Sequence, residues 1–290
     1  MNIFAWERRH PVGAWRCVSQ KPPARYRRSR CGKAFPWFLG ILAISLTTTG
    51  PAATATNDLS EAVIQGRQLA RQLCEAQPAE NFTNSGVLTI QDAKGRNSEI
   101  PVNCEVIVTP TNWQSIYDIR RINTNETHAA WETLIVTHSG NGPNRYQFHK
   151  VFLKSEIFGP VNTNLSGEQT MIPFADSDFW IADLGLEFFH WPEQKILKHE
   201  MRRGRACKVL ESTNPHPSPN GYSRVVSWID NETLGLVQAE AYDAKGKLLK
   251  EFYPKSFKKV NGQWELQEME IRNDQTGSRT RLEFNTHQSD

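Results

Sequence analysis

The stretch Val87-Leu88-Thr89-Ile90-Gln91-Asp92-Ala93-Lys94-Gly95-Arg96 decides the fold, because it joins an alternating strand pattern to turn-forming residues. Asp suits the start of a type I turn, and Gly suits the left-handed position that closes it. A second strand pattern follows at residues 100–109, so the stretch predicts a β-hairpin. The same four turn residues return at 243–246, between strand patterns at 237–242 and 248–252, and predict another hairpin.

Further strand patterns lie on both sides of these hairpins, separated by Asn, Gly, Pro and Ser clusters at 139–144, 214–221 and 261–262. About ten or eleven strands without interleaved long helices predict a mainly β fold with few helices (α+β), an antiparallel sandwich or barrel. A barrel of this size is too wide for side chains to fill completely. It therefore encloses a cavity, collapses into a sandwich or is plugged.

The first 55 residues have the three parts of a cleavable secretory signal. Five basic residues between 25 and 33 precede an apolar run at 34–46, and Ala53-Thr54-Ala55 supplies a cleavage pattern. The run of about 13 residues is shorter than the roughly 20 that a membrane-spanning helix needs. We therefore expect residues 1–55 to be a signal peptide and residues 56–290 to form one exported domain, since no linker divides them.

Removal of this leader changes the charge of the protein. The full chain carries 34 basic and 31 acidic residues, for a net charge of +3. Residues 1–55 hold nine of the basic residues and only Glu7 among the acidic ones, which leaves a net charge of −5 on residues 56–290. Overall basicity therefore gives no support to nucleic-acid binding, and no nucleic-acid partner is expected.

Residues 56–290 contain three cysteines, Cys74, Cys104 and Cys207. An oxidising compartment permits one disulfide, and the sequence leaves all three pairings open. Cys74–Cys104 is slightly favoured, because Cys74 lies late in a predicted helix and Cys104 in a nearby strand. Three separate buried thiols fit the sequence about equally well.

Two helices are predicted. Apolar residues recur at steps of three and four over residues 59–75, which predicts an amphipathic helix with Asp58 as its N-cap and Pro78 beyond its end. The second lies in residues 174–191, called here the aromatic segment, in which Asp176 or Ser177 can cap a short helix that ends at Gly185. Six side chains of this segment are Phe or Trp, and we expect them to be buried in the barrel or to cover its mouth.

No motif for catalysis, a cofactor or a metal is recognisable in the sequence, so a non-enzyme without a cofactor is expected. His138 and His149 fall on neighbouring predicted strands and could meet, but a solvent-facing or hydrogen-bonded role fits each better. Asp176, Asp178 and Asp183 are close in sequence, and helix capping explains the first two more simply than acid–base chemistry.

Two basic stretches are predicted to form hairpin tips, residues 198–205 and residues 255–259; in the second, Phe257 could face a membrane or a partner. A solvated turn is the simpler interpretation. The functional alternative is contact with anionic lipid headgroups or with an acidic partner.

A larger set of positions carries a family resemblance. These are Phe174, Asp178, Phe179, Asp183, Leu184, Arg203-Gly204-Arg205, Cys207, Val209, Leu210, Glu211, Tyr222, Ser223, Trp228, Ile229, Asp230, Glu240, Tyr242, Asp243, Gly246, Lys247, Trp264 and Met269. With them, the chain resembles the LolA-like family of outer-membrane lipoprotein-sorting proteins. The predicted first helix and first hairpin fit the same order, so the resemblance covers most of residues 56–290.

The resemblance implies an incomplete antiparallel β-barrel with helices inside it or across its open face. It also implies a hydrophobic cavity that carries lipoprotein acyl chains, or more generally lipid, across the periplasm. An acyl chain in water needs such a shielded site, because removal of each methylene group from water is favourable by roughly 0.8 kcal/mol. We expect nine side chains to line the cavity and bind lipid: Trp113, Phe174, Phe179, Trp180, Leu184, Phe188, Phe189, Trp191 and Trp228.

Three functions are therefore considered. The first is a monomeric periplasmic carrier that transfers lipoprotein or lipid to the outer membrane without catalysis. The second is a sensor or adaptor that uses the same fold to bind an inner- or outer-membrane protein. The third is an envelope hydrolase that uses an unrecognised carboxylate pair.

Overall fold

The computed structural model describes residues 54–121, 131–140, 142–152, 161–260 and 263–285. Apart from its last two residues, the predicted signal peptide lies outside these ranges. The described strands are β1 Phe82–Gln91, β2 Asn97–Val108, β3 Trp113–Arg120, β4 Trp131–His138, β5 Arg145–Val151, β6 Val161–Leu165, β7 Glu193–Arg202, β8 Arg205–Thr213, β9 Arg224–Asp230, β10 Leu236–Tyr242, β11 Leu248–Val260, β12 Gln263–Asn273 and β13 Arg279–Phe284.

All thirteen strands pair antiparallel in one sheet, in the order β6-β5-β4-β3-β2-β1-β13-β12-β11-β10-β9-β8-β7. The sheet is open, with β6 and β7 as its edges. This confirms the predicted mainly β, incomplete antiparallel barrel. The strand count exceeds the predicted ten or eleven, and β6, with the polar sequence Val-Asn-Thr-Asn-Leu, was missed.

Both Asp-Ala-Lys-Gly turns form as predicted. Asp92 Oδ1 accepts hydrogen bonds from the backbone N–H groups of Lys94 and Arg96, each at 2.9 Å. Asp243 Oδ1 makes the equivalent contacts with residues 245 and 247 at 2.8 and 2.9 Å. Each turn closes on a glycine with positive φ, 80° in the first and 73° in the second, a conformation that side chains disfavour.

The first helix, α1, spans Thr54–Glu75. It begins earlier than predicted, so the prediction that Asp58 is its N-cap is wrong. Its Gly66 lies against edge strand β7, where an added Cβ would stand 2.6 Å from the Lys195 backbone. Its last residue, Glu75, lies 3.5 Å from the Cβ position of Gly140 in the β4–β5 loop. The helix therefore bridges from one edge of the open sheet towards the other.

The two faces of the sheet differ in composition. The inner face, defined by the main apolar core, carries residues such as Val225 and Ile229 of β9. The outer face of the same strand carries Val226 and Trp228, which belong to a small separate cluster with Cys207.

The three cysteines are free. The favoured Cys74–Cys104 disulfide is therefore wrong, and separate thiols are observed. Burial raises the pKa of Cys74 to about 11 and raises that of Cys104 further. Both are therefore protonated and unreactive at neutral pH.

Candidate functional site

The aromatic segment packs on the inner face of the sheet. It contains a one-turn helix, α2 Ile181–Leu184, and a short 3-10 helix, Glu187–His190. The predicted helix end at Gly185 is confirmed, but the predicted caps are wrong. Trp180 is the N-cap residue, and its backbone N–H donates to Asp183 Oδ2 at 2.8 Å. Asp176 lies outside the helix in a left-handed conformation.

The structure brings seven of the nine predicted lining residues together at this inner face. Phe174, Phe179, Leu184, Phe188 and Phe189 are buried in the main core, and Trp180 and Trp191 pack against it.

The other two predicted lining residues lie apart. Trp113 is buried at the start of β3, where its ring stacks on His138 with centroids 3.5 Å apart. Trp228 lies on the outer face of β9, so it is not among the aromatic side chains of the inner face. Strand β9 is buried on both faces, and the sequence pattern therefore gave no means of assigning Trp228 to a face.

The start of the aromatic segment is anchored to β4. Glu132 Oε2 accepts a hydrogen bond from the Ala175 backbone N–H at 3.1 Å, although the Glu132 side chain is only 1% exposed. Arg121 links the same carboxylate to the segment, with contacts of 3.0 Å to both Glu132 and Asp176. A buried carboxylate requires such partners, so these contacts fix the entry of the segment into the core.

The middle of the segment is anchored to β11 and β13. Asp178 accepts hydrogen bonds from Ser278 Oγ at 2.6 Å and Thr280 Oγ1 at 2.9 Å. The Lys250 ammonium donates to the Asp178 carbonyl oxygen at 2.7 Å. The three aspartates therefore serve as separate anchors and do not converge in one acid–base site.

The end of the segment is anchored to β3 and β5. Tyr117 donates through its hydroxyl to the Leu184 carbonyl oxygen at 3.3 Å, and Tyr146 donates to Glu187 Oε2 at 2.7 Å. Gly185 lies directly under the Tyr146 hydroxyl, 2.2 Å from where a Cβ would stand. Only glycine fits this close approach.

Lys250 and Asp183 form a buried charged pair at the inner face. Lys250 Nζ lies 3.6 Å from Asp183 Oδ2 and 3.6 Å from the ring centroid of Trp180. The Tyr222 hydroxyl donates to the same carboxylate at 2.9–3.0 Å. Burial lowers the pKa of Lys250 to about 8, although Asp183 opposes this shift. Burial also raises the pKa of Asp183, so its charge is only partly compensated.

Little empty space remains beneath the segment. A cavity of about 20 Å³ adjoins Lys250 and Asp183 and is otherwise lined mostly by apolar side chains: Leu186, Phe188, Tyr222, Val225, Ala239, Ala241, Phe252 and Ile271. This volume suits about one water molecule, whereas ligand pockets measure about 300–1,000 Å³. The expected open apolar cavity is thus filled by the aromatic side chains themselves.

A larger groove of about 700 Å³ lies beside β5 and β6, and most of its lining residues have polar side chains. Gln114, Thr137, Arg145, Gln147 and Asn164 contribute to it. It meets the aromatic segment at Glu187, whose pKa burial raises to about 7. Apolar surface also contributes to this groove, from residues that include Tyr146 and Leu165.

Backbone conformation in the segment is unusual. Ala175, Asp176 and Leu186 have positive φ values of 57°, 56° and 51°. Left-handed conformations are unfavourable for residues with a side chain and persist only where surrounding contacts impose them. The segment is therefore held in place by its contacts with the sheet and not by its own backbone preference.

The two histidines singled out in the sequence do not meet. His138, at the end of β4, lies opposite Trp113 and interacts with Ser115 Oγ at 3.2 Å. His149 of β5 lies opposite Thr133, near the start of β4. Among the residues described, no three His, Cys, Asp or Glu side chains are arranged to bind a metal ion.

The basic stretches make more contacts with the rest of the protein than the sequence predicted. Residues 198–205 form the predicted hairpin tip, but Arg202 lies over the Trp228 ring at 4.6 Å and Arg203 over the Tyr253 ring at 4.0 Å. Residues 255–259 lie within β11, so the prediction of a second tip is wrong. Phe257 is partly buried and packs against the core.

Comparisons with known proteins agree with this architecture. A family profile described as "Uncharacterized protein" matches residues 162–290, and no curated protein matches the chain. A solved DUF1329 family protein from Desulfovibrio piger is similar, with a TM-score of 0.61 and 20% identity over 78% of this chain and 92% of that one.

Two further solved structures are similar. A putative outer membrane lipoprotein-sorting protein domain from Vibrio parahaemolyticus has a TM-score of 0.61 and 19% identity, over 77% of this chain and 91% of that chain. A LolA superfamily protein from Nitrosomonas europaea has a TM-score of 0.52 and 15% identity, over 76% and 91%. At these identities the likeness shows the fold, which is LolA-like, as the sequence resemblance predicted.

None of the helices in the described ranges combines the length and the apolar character that crossing a bilayer requires.

Proposed function

We propose that the protein is a periplasmic carrier that binds lipoprotein acyl chains, or other lipid, at the inner face of its sheet for transfer to the outer membrane, without catalysis. One observation carries the proposal: the apolar inner face is covered by the aromatic segment and not by closure of the sheet. A cover made of a separate segment can leave, whereas a closed barrel wall cannot.

Exchange of the segment for lipid is physically reasonable. An acyl chain that replaces Phe179, Phe188 and their neighbours keeps the apolar wall out of water, so the burial of that wall is conserved. The left-handed residues Ala175 and Leu186 return to ordinary conformations when the segment leaves, which offsets part of the lost contacts.

The location is supported by the sequence. The leader with its Ala53-Thr54-Ala55 pattern predicts export, and the Vibrio parahaemolyticus structure with the same fold is described as a putative lipoprotein-sorting domain. Transfer between two membranes requires a carrier that hides acyl chains from water.

Two neighbouring valines on β9 provide a matched test. Val225 faces the inner wall of the site and Val226 faces the outer side, and both are buried. We expect Val225→Phe to reduce binding of a fluorescent fatty-acid probe by blocking the wall, and Val226→Phe to leave probe binding unchanged in folded protein.

Native mass spectrometry of protein isolated from the periplasm gives the direct readout. Copurified lipid is expected. A protein that carries no copurified lipid and does not bind fluorescent fatty-acid probes would contradict the carrier function.

A second function, an adaptor that binds a membrane protein, is favoured by one observation. The cavity of about 20 Å³ leaves no room for lipid while the segment is in place. Crosslinking to a membrane protein by a lipid-free form of the chain would support this function over the carrier.

A further inference from the structure

The sheet side of the filled site carries two polar groups among apolar ones. Lys250, on β11, is 2% exposed, and Tyr222, just before β9, is fully buried. Val225, Ala239, Phe252 and other apolar side chains surround them. A lysine at such a position is costly unless an anion accompanies it.

The anion is supplied by the aromatic segment. Asp183 places its carboxylate between the Lys250 ammonium, 3.6 Å away, and the Tyr222 hydroxyl, at 2.9–3.0 Å. The carboxylate belongs to the part that must leave when lipid binds, whereas Lys250 and Tyr222 belong to the sheet that stays.

Departure of the segment therefore leaves a cation without its counter-charge in an apolar wall. A neutral lipid that enters the site does not supply the missing negative charge. A ligand with its own carboxylate does, because it restores an anion at the position that Asp183 vacates.

We propose that the site takes a single-chain amphiphile with a carboxylate head, the chemical class of fatty acids. Its head is bound by Lys250 and Tyr222 in place of Asp183, and its chain lies along Val225, Ala239 and Phe252. Asp183 is then an internal competitor of the ligand. This inference rests on the proposed lipid-binding function and names its ligand class.

A carboxylate fits better than a larger anion. The Asp183 contacts that stay on the sheet when the segment leaves are one ammonium and one hydroxyl, which match two oxygens and a single charge. A phosphate would bring more charge than the single neighbouring lysine compensates.

The test compares oleate with methyl oleate, which has the same chain and no charge, at neutral pH and submicellar concentration. The wild-type protein is expected to bind oleate at least about tenfold more tightly than the ester. Lys250→Met should abolish this preference. Tyr222→Phe, which removes one hydroxyl, should reduce it and replaces Lys250→Met if that variant does not fold.

Asp183→Asn removes the internal competitor, so it should raise the affinity for oleate more than that for the ester. Lys255→Met is the matched control, because Lys255 lies on the same strand but pairs with Glu270 on the outer face. It should leave the preference unchanged.

The outcomes separate the two proposals. Equal binding of oleate and ester by wild-type protein would overturn the carboxylate inference and leave lipid binding standing. Binding of neither ligand, together with no binding of an apolar fluorescent probe, would overturn both. A preference for oleate that persists in Lys250→Met and Tyr222→Phe would also overturn the inference.

Discussion

Buried ionisable groups on the two faces of the sheet have pKa values that are shifted for different reasons. On the inner face, burial dominates: it lowers the pKa of Lys250 to about 8 and raises that of Glu187 to about 7. On the outer face, burial alone would raise the pKa of Glu270, but hydrogen bonds from Tyr253, Lys255 and Arg272 outweigh it and lower the pKa to about 2.

The difference lies in the number and origin of the partners. Glu270 is held by three cations that are fixed parts of the sheet: Lys255 on β11, Arg272 on its own strand β12 and Arg281 on β13. The charge of Lys250 is balanced mainly by Asp183, which belongs to the aromatic segment. The outer face is therefore expected to be rigid, and the inner face to depend on one removable segment.

Removal of the inner counter-charge should have the largest effect. Asp183→Ala leaves Lys250 buried without its anion, so we expect the free energy of unfolding to fall by about 3–5 kcal/mol. Chemical denaturation measures this. The control is the double variant Asp183→Leu with Lys250→Met, which replaces both charges by apolar groups and should recover most of the loss. A double variant as unstable as the single one would contradict this account of the pair.

The second-largest effect is expected from the titration of Glu187, which should make the free energy of unfolding depend on pH. Its pKa rises from 4.5 in the unfolded chain to about 7 in the folded protein. Its contribution is therefore complete below pH 4.5 and is lost as the pH rises through 7. The loss amounts to about 3 kcal/mol. Denaturation curves of wild-type and Glu187→Gln protein across this range should diverge, and parallel curves would argue against a protonated Glu187.

A substitution on the outer face should have the smallest effect on the free energy of unfolding. Glu270→Gln removes a charged acceptor, but Arg272 and Arg281 are partly exposed and can turn to water. We expect a loss of about 1–3 kcal/mol, smaller than that of Asp183→Ala. The stability that Glu270 provides, present above pH 4.5, should decline as the pH falls towards 2. A loss larger than that of Asp183→Ala would reverse the comparison between the faces.

Local signals explain what the sequence predicted well. The two Asp-Ala-Lys-Gly turns formed with their expected aspartate contacts, because turn chemistry depends on four or five adjacent residues. The apolar face of α1 was also predicted, and its Leu69 and Leu73 are buried.

Long-range features were harder to predict. Neither Lys250 nor Tyr222 was recognised as part of the site, because their partner Asp183 is distant in sequence. One signal was present: Lys250 occupies an inward position two residues before Phe252, where an apolar residue is expected. The filling of the cavity depends on how the whole aromatic segment packs, and no local pattern contains that information.

The central claim is that the aromatic segment leaves the inner face when lipid enters, and hydrogen exchange with and without bound oleate tests it most directly. We expect backbone amides of α2, Ile181–Leu184, to lose protection when oleate binds, while amides of β9 to β13 keep theirs. Binding of oleate with unchanged protection of α2 would contradict the account.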